Sequence, residues 1–140
     1  MQTEATRALI TALYDAYRAG DMPTVMSSLA EDIDWHSVAQ APLPWCGAWR
    51  GHAGVSAYFA ALSGICTITA YDIERILADG AWATVLASIR VRYHADGSEA
   101  GYTKVDVLRV DGGRVAEFRE YYDTAAIQRD LGRANTARSD

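Results

Sequence analysis

Positive charge is scarce. Thirteen lysines and arginines face 18 acidic residues, for a formal net charge of −5 over 140 residues. A nucleic-acid surface needs a basic stripe or patch. The nearest approach to one is the small trio Arg90, Arg92 and Arg109, so nucleic acid is not an expected partner. Cysteine is scarce too. Cys46 and Cys66 have no metal-type spacing and make no disulfide framework; two free, reduced thiols are expected. No apolar run approaches the ~20 residues that cross a bilayer. The N-terminal stretch MQTEATRALITALYDAY lacks a basic segment followed by an apolar one, so it does not read as a signal peptide. A soluble, cytoplasmic protein without membrane contact is expected. Three scattered histidines, His36, His52 and His94, lack metal-ligand spacing. No serine sits in a G-x-S-x-G turn, and GAWRGHAG lacks the lysine of a phosphate loop. Neither a metal nor a cofactor is expected.

What is present suits one packed domain. Half the residues are apolar, and chains of roughly 100–150 residues form single cores. Residues 3–19 read as an amphipathic helix with a stripe of Ala5, Ala8, Leu9, Ala12, Leu13, Ala16 and Tyr17, capped by Thr3 and ended by Gly20. Asp21 caps a second, shorter helix with Pro23 in its first turn, and Val25, Met26 and Leu29 give its buried side. Residues 33–38 alternate as a short strand. The segment AQAPLPWCGAWRGHAG, with Pro42, Pro44, Gly47, Gly51 and Gly54, is too punctuated for helix or strand. Residues 55–63 return to helical spacing.

The second half reads as sheet. Strand-like runs near 66–77, 82–95, 100–110 and 114–122 are broken at Asp79-Gly80, Asp96-Gly97 and Asp111-Gly112-Gly113, which are hairpin signals. A short helix is expected over 124–131, with a disordered tail at 133–140. Helices followed by long hairpins predict an α+β fold: a cone-shaped, curved antiparallel or mixed sheet wrapped around the N-terminal helices. One domain over 1–132 is expected.

Such a cone leaves a cavity between sheet and helices. Four tryptophans and eight tyrosines, against two phenylalanines, suit a pocket wall that is apolar with polar handles. Charge inside the strands is more informative. Alternation in YTKVDVLRV and VAEFREYY collects Lys104, Asp106, Glu120 and Tyr122 on one face if the two are hairpin partners. Two carboxylates and an ammonium in a partly apolar cavity shift one another's pKa values, which is how acid–base sites are made. A solvated face, or an ordinary Lys104–Glu120 cross-strand pair, fits the same parity.

The order of elements, with the stretches YRAGDMPTVMSSLAEDIDWH, GAWRGHAGVSAYF and VDVLRVDGGRVAEFREYYD, resembles the nuclear-transport-factor-two-like superfamily and its SnoaL-like and ketosteroid-isomerase-related members, from about Leu9 to Gly132. The resemblance implies the cystatin-like roll and a homodimer. Ketosteroid isomerases use a carboxylate base, a tyrosine and a protonated aspartic acid. Their aspartic acid falls on Asp106, their base on Ser37 beside His36, and their tyrosine on Leu13 beside Tyr14. The similarity of YYDTAAIQRDLG to SnoaL-like cyclases implies an acid–base role for Asp123. Limonene epoxide hydrolases carry an acidic residue that falls near Glu120, but Arg90-Val91-Arg92 lacks the acid of their Arg-x-Asp pattern.

Two functions stay open. One is a cofactor-free isomerase or cyclase of an apolar carbonyl compound, with Asp106, Glu120 and Asp123 as catalytic candidates. Tyr14, Trp35, Ser37, Trp45, Trp49, Tyr58, Lys104, Phe118 and Tyr122 would bind its small hydrophobic ligand. The other is a non-catalytic binding or structural homodimer with the same pocket. Its dimer face would be the outer residues Thr103, Val105 and Val107, with Arg109 paired across the interface, unless the C-terminal segment covers that face within one chain.

Overall fold

The computed structural model describes residues 1–40 and 43–139; Pro42, part of the punctuated segment, lies outside them. Helices α1 (Gln2–Arg18), α2 (Met22–Ser27) and α3 (Gly51–Ser63) pack against the strands. The strands are β1 (Leu29–Ser37), β2 (Gly47–Arg50), β3 (Cys66–Asp79), β4 (Trp82–Tyr93), β5 (Glu99–Asp111) and β6 (Arg114–Tyr122), and helix α4 (Thr124–Ser139) follows them. They form one sheet in the order β2-β1-β6-β5-β4-β3. Among the described residues only β1 and β6 run parallel, so the sheet is mixed. It is curved and does not close.

The hairpin signals act as read. Gly112 and Gly113 have φ of +59° and +77°, the paired left-handed conformation that a tight hairpin demands and that costs glycine little. Curvature comes partly from β3, whose pairing with β4 shifts between Ile68 and Ala70 and again between Ile73 and Arg75. Each shift is a bulge, and bulges bend strands. The core joins helix and sheet: Ile10, Ile33, Val55, Val85, Leu108 and Val115 are fully buried. Each contributes about 1.5–3 kcal/mol.

Four local expectations are corrected. First, α1 is rotated: Thr6, Ile10, Leu13, Tyr14 and Ala16 are buried, while Ala5, Ala8 and Ala12 are exposed. Its N-terminal turn is held by polar bonds instead, with Thr6 Oγ1 donating to the Gly80 carbonyl at 2.6 Å. Thr3 does not cap the helix; its Oγ1 accepts from the Gly80 N–H at 2.9 Å. Asp21, by contrast, caps α2 as read, accepting from the Thr24 N–H.

Second, the punctuated segment contains strand β2, which pairs antiparallel with β1 (Trp35 opposite Trp49, Ser37 opposite Gly47). It is four residues long, and pairing rather than local propensity makes it a strand. Third, α3 starts at Gly51, ahead of the expected 55. Fourth, α4 continues to Ser139 where a tail was expected, because Ile127, Leu131 and Ala134 bury its inner side. Among the described residues, no helix is long and apolar enough to cross a membrane.

Candidate functional site

The register of β5 on β6 sets Lys104 opposite Tyr122 and Asp106 opposite Glu120. All four point to the helix-covered side, since alternate residues share a face. The register of β1 on β6 brings Trp35 beside Phe118 and Ser37 beside Glu120. Helices α1 and α3 lay Tyr14 and Tyr58 over this floor, where their hydroxyls reach Asp106 and Glu120.

The two carboxyl groups have different surroundings. Glu120 accepts from Ser37 Oγ at 2.8 Å and Tyr58 OH at 2.6 Å on Oε1, and from Lys104 Nζ at 2.9 Å on Oε2. Three donors, one of them an ammonium, are the surroundings of an anion. Asp106 Oδ2 accepts from the hydroxyls of Tyr14 and of Tyr71, the latter at 3.2 Å. Its Oδ1 is paired with the Lys104 ammonium at 3.3 Å.

The pKa directions follow. Burial pushes the Asp106 carboxyl up; Lys104 pulls it back and Glu120 adds to the rise, and the net shift is upward. Burial pulls the Lys104 ammonium down, but the Asp106 and Glu120 carboxylates outweigh burial and hold it well above the ordinary lysine range. Burial also raises Tyr14 and Tyr58 well above the ordinary phenol range, helped by Asp106 and Glu120 respectively, and Tyr122 to about 12. Lys104 thus lies between two carboxyl groups, at 3.3 Å from Asp106 and 2.9 Å from Glu120, and buried charges cost least when paired in this way.

The cluster forms one wall of a cavity of about 90 Å³. The rest is apolar and aromatic: Trp35 stacks on Phe118 with ring centres 3.8 Å apart, and Tyr58 and Phe59 lean on Trp35. Apolar cavities of roughly 150 Å³ take benzene. A single-ring compound therefore approaches the scale of this space, while a polycyclic skeleton fits only if wall residues move. A wider depression of about 690 Å³ shares Tyr17, Phe59 and Tyr71 with the cavity wall.

Most expected residues meet here. Tyr14, Trp35, Trp45, Tyr58, Lys104, Phe118 and Tyr122 line the cavity together with Asp106 and Glu120. Ser37 is fully buried behind them, within 2.6 Å of the Tyr122 hydroxyl. Two expectations fail. Asp123 is exposed at the start of α4, where its Oδ1 accepts from the Ala126 N–H at 3.0 Å; it caps a helix. Trp49 does not line the cavity; its indole N–H donates to the Trp45 carbonyl at 3.0 Å, bracing that wall from behind. Arg109 pairs with Glu117 of the same chain at 3.4 Å. Helix α4 does not cover the outer face: Ile127 lines the cavity and Asp130 accepts from Tyr102 at 2.7 Å.

Tyr71 was not found from sequence. Plain alternation in TITAYDIERI groups it with the exposed Thr67 and Thr69. The bulge after Ile68 reverses the parity and turns Tyr71 inward, under the Lys104 ammonium at 5.4 Å from the ring centre. Tyr17 was placed on the α1 stripe but not at the site; it lines the cavity edge-on to Tyr71. His36 is half-buried beside Ser37 on β1, His52 bonds the Leu29 carbonyl at 2.9 Å, and the exposed His94 meets Thr67 at 2.8 Å.

A curved, unclosed sheet packed on helices, with Asp106 and Glu120 buried between them, is the architecture of this chain. The SnoaL-like domain family matches residues 10–118, and the chain belongs to that family. Its fold is similar to that of an NTF2-like protein from Burkholderia xenovorans LB400, at 26% identity and TM-score 0.79, covering 91% of this chain and 95% of that one. An LEH-like epoxide hydrolase from M. tuberculosis is similar at 22% identity and TM-score 0.73, covering 98% and 96%. A protein from Mesorhizobium loti named for SnoaL-like polyketide cyclases is similar at 16% identity and TM-score 0.70, covering 83% and 97%. No curated protein sequence matches the chain significantly.

Proposed function

We propose that this protein binds a small apolar carbonyl compound in the cavity and moves a proton on it without metal or cofactor. The observation that carries this reading is Asp106: a carboxyl group 1% exposed, raised in pKa by burial, accepting two tyrosine hydroxyls on the wall of an apolar cavity. In the proposed step, Glu120 takes a proton from the carbon next to the carbonyl. The C–H electron pair moves into the carbon skeleton, and negative charge develops on the carbonyl oxygen. Asp106, neutral and backed by Tyr14 and Tyr71, donates to that oxygen. Glu120 then returns the proton to the same or another carbon, which leaves every group as it began. Oε2 of Glu120 accepts only from Lys104, so an acceptor position is free on it.

A second reading, a binder without chemistry, is favoured by one specific observation. Glu120 is already held by three donors, and Ser37 stands where a separate base would be. We further propose that a second copy covers the outer sheet face, where Val105 is half-buried and Tyr121 is 43% exposed in adjacent register.

The test is exchange of the α-hydrogens of cyclohexanone in deuterated buffer, followed by proton NMR. Proton movement predicts exchange above the buffer rate, reduced roughly 100-fold or more in Glu120→Gln. Binding without exchange supports the second reading. Absence of binding removes the ligand reading altogether.

A further inference from the structure

The cavity of about 90 Å³ and the depression of about 690 Å³ share six wall residues: Tyr17, Phe59, Leu62, Cys66, Ile68 and Tyr71. These come from the last turn of α1, the second half of α3 and the first half of β3. Two spaces with so much wall in common meet at a neck. The bulge in β3 builds one side of it. Ile68 and Tyr71 are three residues apart and would point to opposite faces of a regular strand; the register shift between Ile68 and Ala70 brings both to the neck.

Tyr17 bridges the two sides. Its ring stacks on Phe59 with centres 5.8 Å apart and meets Tyr71 edge-on at 5.6 Å. Every other tyrosine on the cavity wall has its hydroxyl in a hydrogen bond. Tyr17 has none among the described residues and is held by ring contacts. Its ring can turn aside without leaving a polar group unpaired.

We infer that the cavity and the depression are one site in two parts, and that its ligand is a ketone with a compact head for the cavity and an unbranched alkyl tail for the depression. The inference rests on the ligand reading above and adds a second part to the molecule. Head and tail do not fit the cavity together, since roughly 150 Å³ is taken up by a single benzene ring. Past the neck the wall changes character: Phe59, Leu62 and Ile68 are half-buried, whereas Arg18, Thr67, Thr69 and Asp72 are exposed. An alkyl chain leaving the cavity therefore lies first on apolar side chains and ends at water.

The probes are cyclohexanone and 4-hexylcyclohexanone, titrated into the full chain by calorimetry; substitution at carbon 4 leaves both α-carbons open. A fully buried methylene multiplies affinity about fourfold and a half-buried one about twofold. The hexyl ketone is therefore expected to bind roughly 60-fold more tightly than cyclohexanone. Ala60 is an exposed residue of α3 that lines the depression and not the cavity. Ala60→Trp fills the outer part alone: it should cut the gain to about fivefold or less and leave cyclohexanone within about twofold of wild type. Cyclohexanone binding with no gain from the tail, or a gain that survives Ala60→Trp, overturns the inference while the single-ring reading stands. If only the hexyl ketone binds measurably, its loss in Ala60→Trp supports the two-part site and its retention overturns it. Failure of both ketones to bind overturns both readings. Should Ala60→Trp not fold, Ser63→Trp, at another exposed residue of the depression wall, replaces it with the same expected outcomes.

Discussion

The two faces of the β5–β6 hairpin carry the same kinds of charge and use them in opposite ways. On the inner face, Lys104, Asp106 and Glu120 have side chains no more than 10% exposed, and each touches another. On the outer face, Arg109 and Glu117 pair at 3.4 Å with side chains 33% and 26% exposed, and Arg119 is open to solvent. Every second residue changes face, so sequence composition is shared while environment is not. Water screens the outer pair, whose contribution is small. Inside, each charge depends on its neighbours, because nothing else can solvate it.

The largest expected effect comes from breaking the inner set. Lys104→Met leaves Glu120 without its cation and should cost roughly 3–5 kcal/mol in urea unfolding; a loss comparable to that of an outer-face variant would end the contrast. Tyr14→Phe is expected to cost roughly 1–3 kcal/mol. Its hydrogen bond lowers the Asp106 pKa, so the variant should also raise the pH at which the protonated Asp106 C=O stretch disappears from the infrared spectrum. An unmoved midpoint would mean that this bond does not tune the acid.

Asp106 also gives a pH prediction with a definite sign. Its folded pKa lies above its unfolded value, so its contribution is complete below the unfolded value near 3.9. That contribution fades as pH rises through the folded pKa. Relative to Asp106→Asn, the wild type should lose stability over that window and stay level above it; a wild type that gains instead would show the carboxyl to be ionised in the fold. The smallest effect belongs outside. Arg109→Ala should cost no more than about 1 kcal/mol. Val105→Glu tests the second copy: sedimentation should show a dimer in the wild type and a monomer in the variant, and a monomeric wild type removes the proposal.

Much of the site was legible because strand alternation is a strict code. Lys104, Asp106, Glu120 and Tyr122 share a face whenever their two strands are hairpin partners, and Asp111-Gly112-Gly113 makes them so. Tyr71 was lost to the same code, since one bulge in β3 inverts it and no residue type announces a bulge there. On α1, alanines suggested a buried stripe, but alanine favours helix wherever it lies; the Thr6 and Thr3 bonds to Gly80 help fix the true rotation. Asp123 came in through the resemblance to SnoaL-like cyclases, and a likeness of local sequence does not carry burial: here the residue is an exposed helix cap.

The sequence by itself determined the class of fold, the antiparallel hairpins, the polar face of β5 and β6 and the aromatic supply, because turns and period-two patterns are local. Only the tertiary structure decided which donors each of the two carboxyl groups meets. That depends on Ser37, Tyr58, Tyr14 and Tyr71 arriving from β1, α3, α1 and β3. Hydrogen bonding and desolvation are properties of a surrounding, and a surrounding exists only once distant segments have packed.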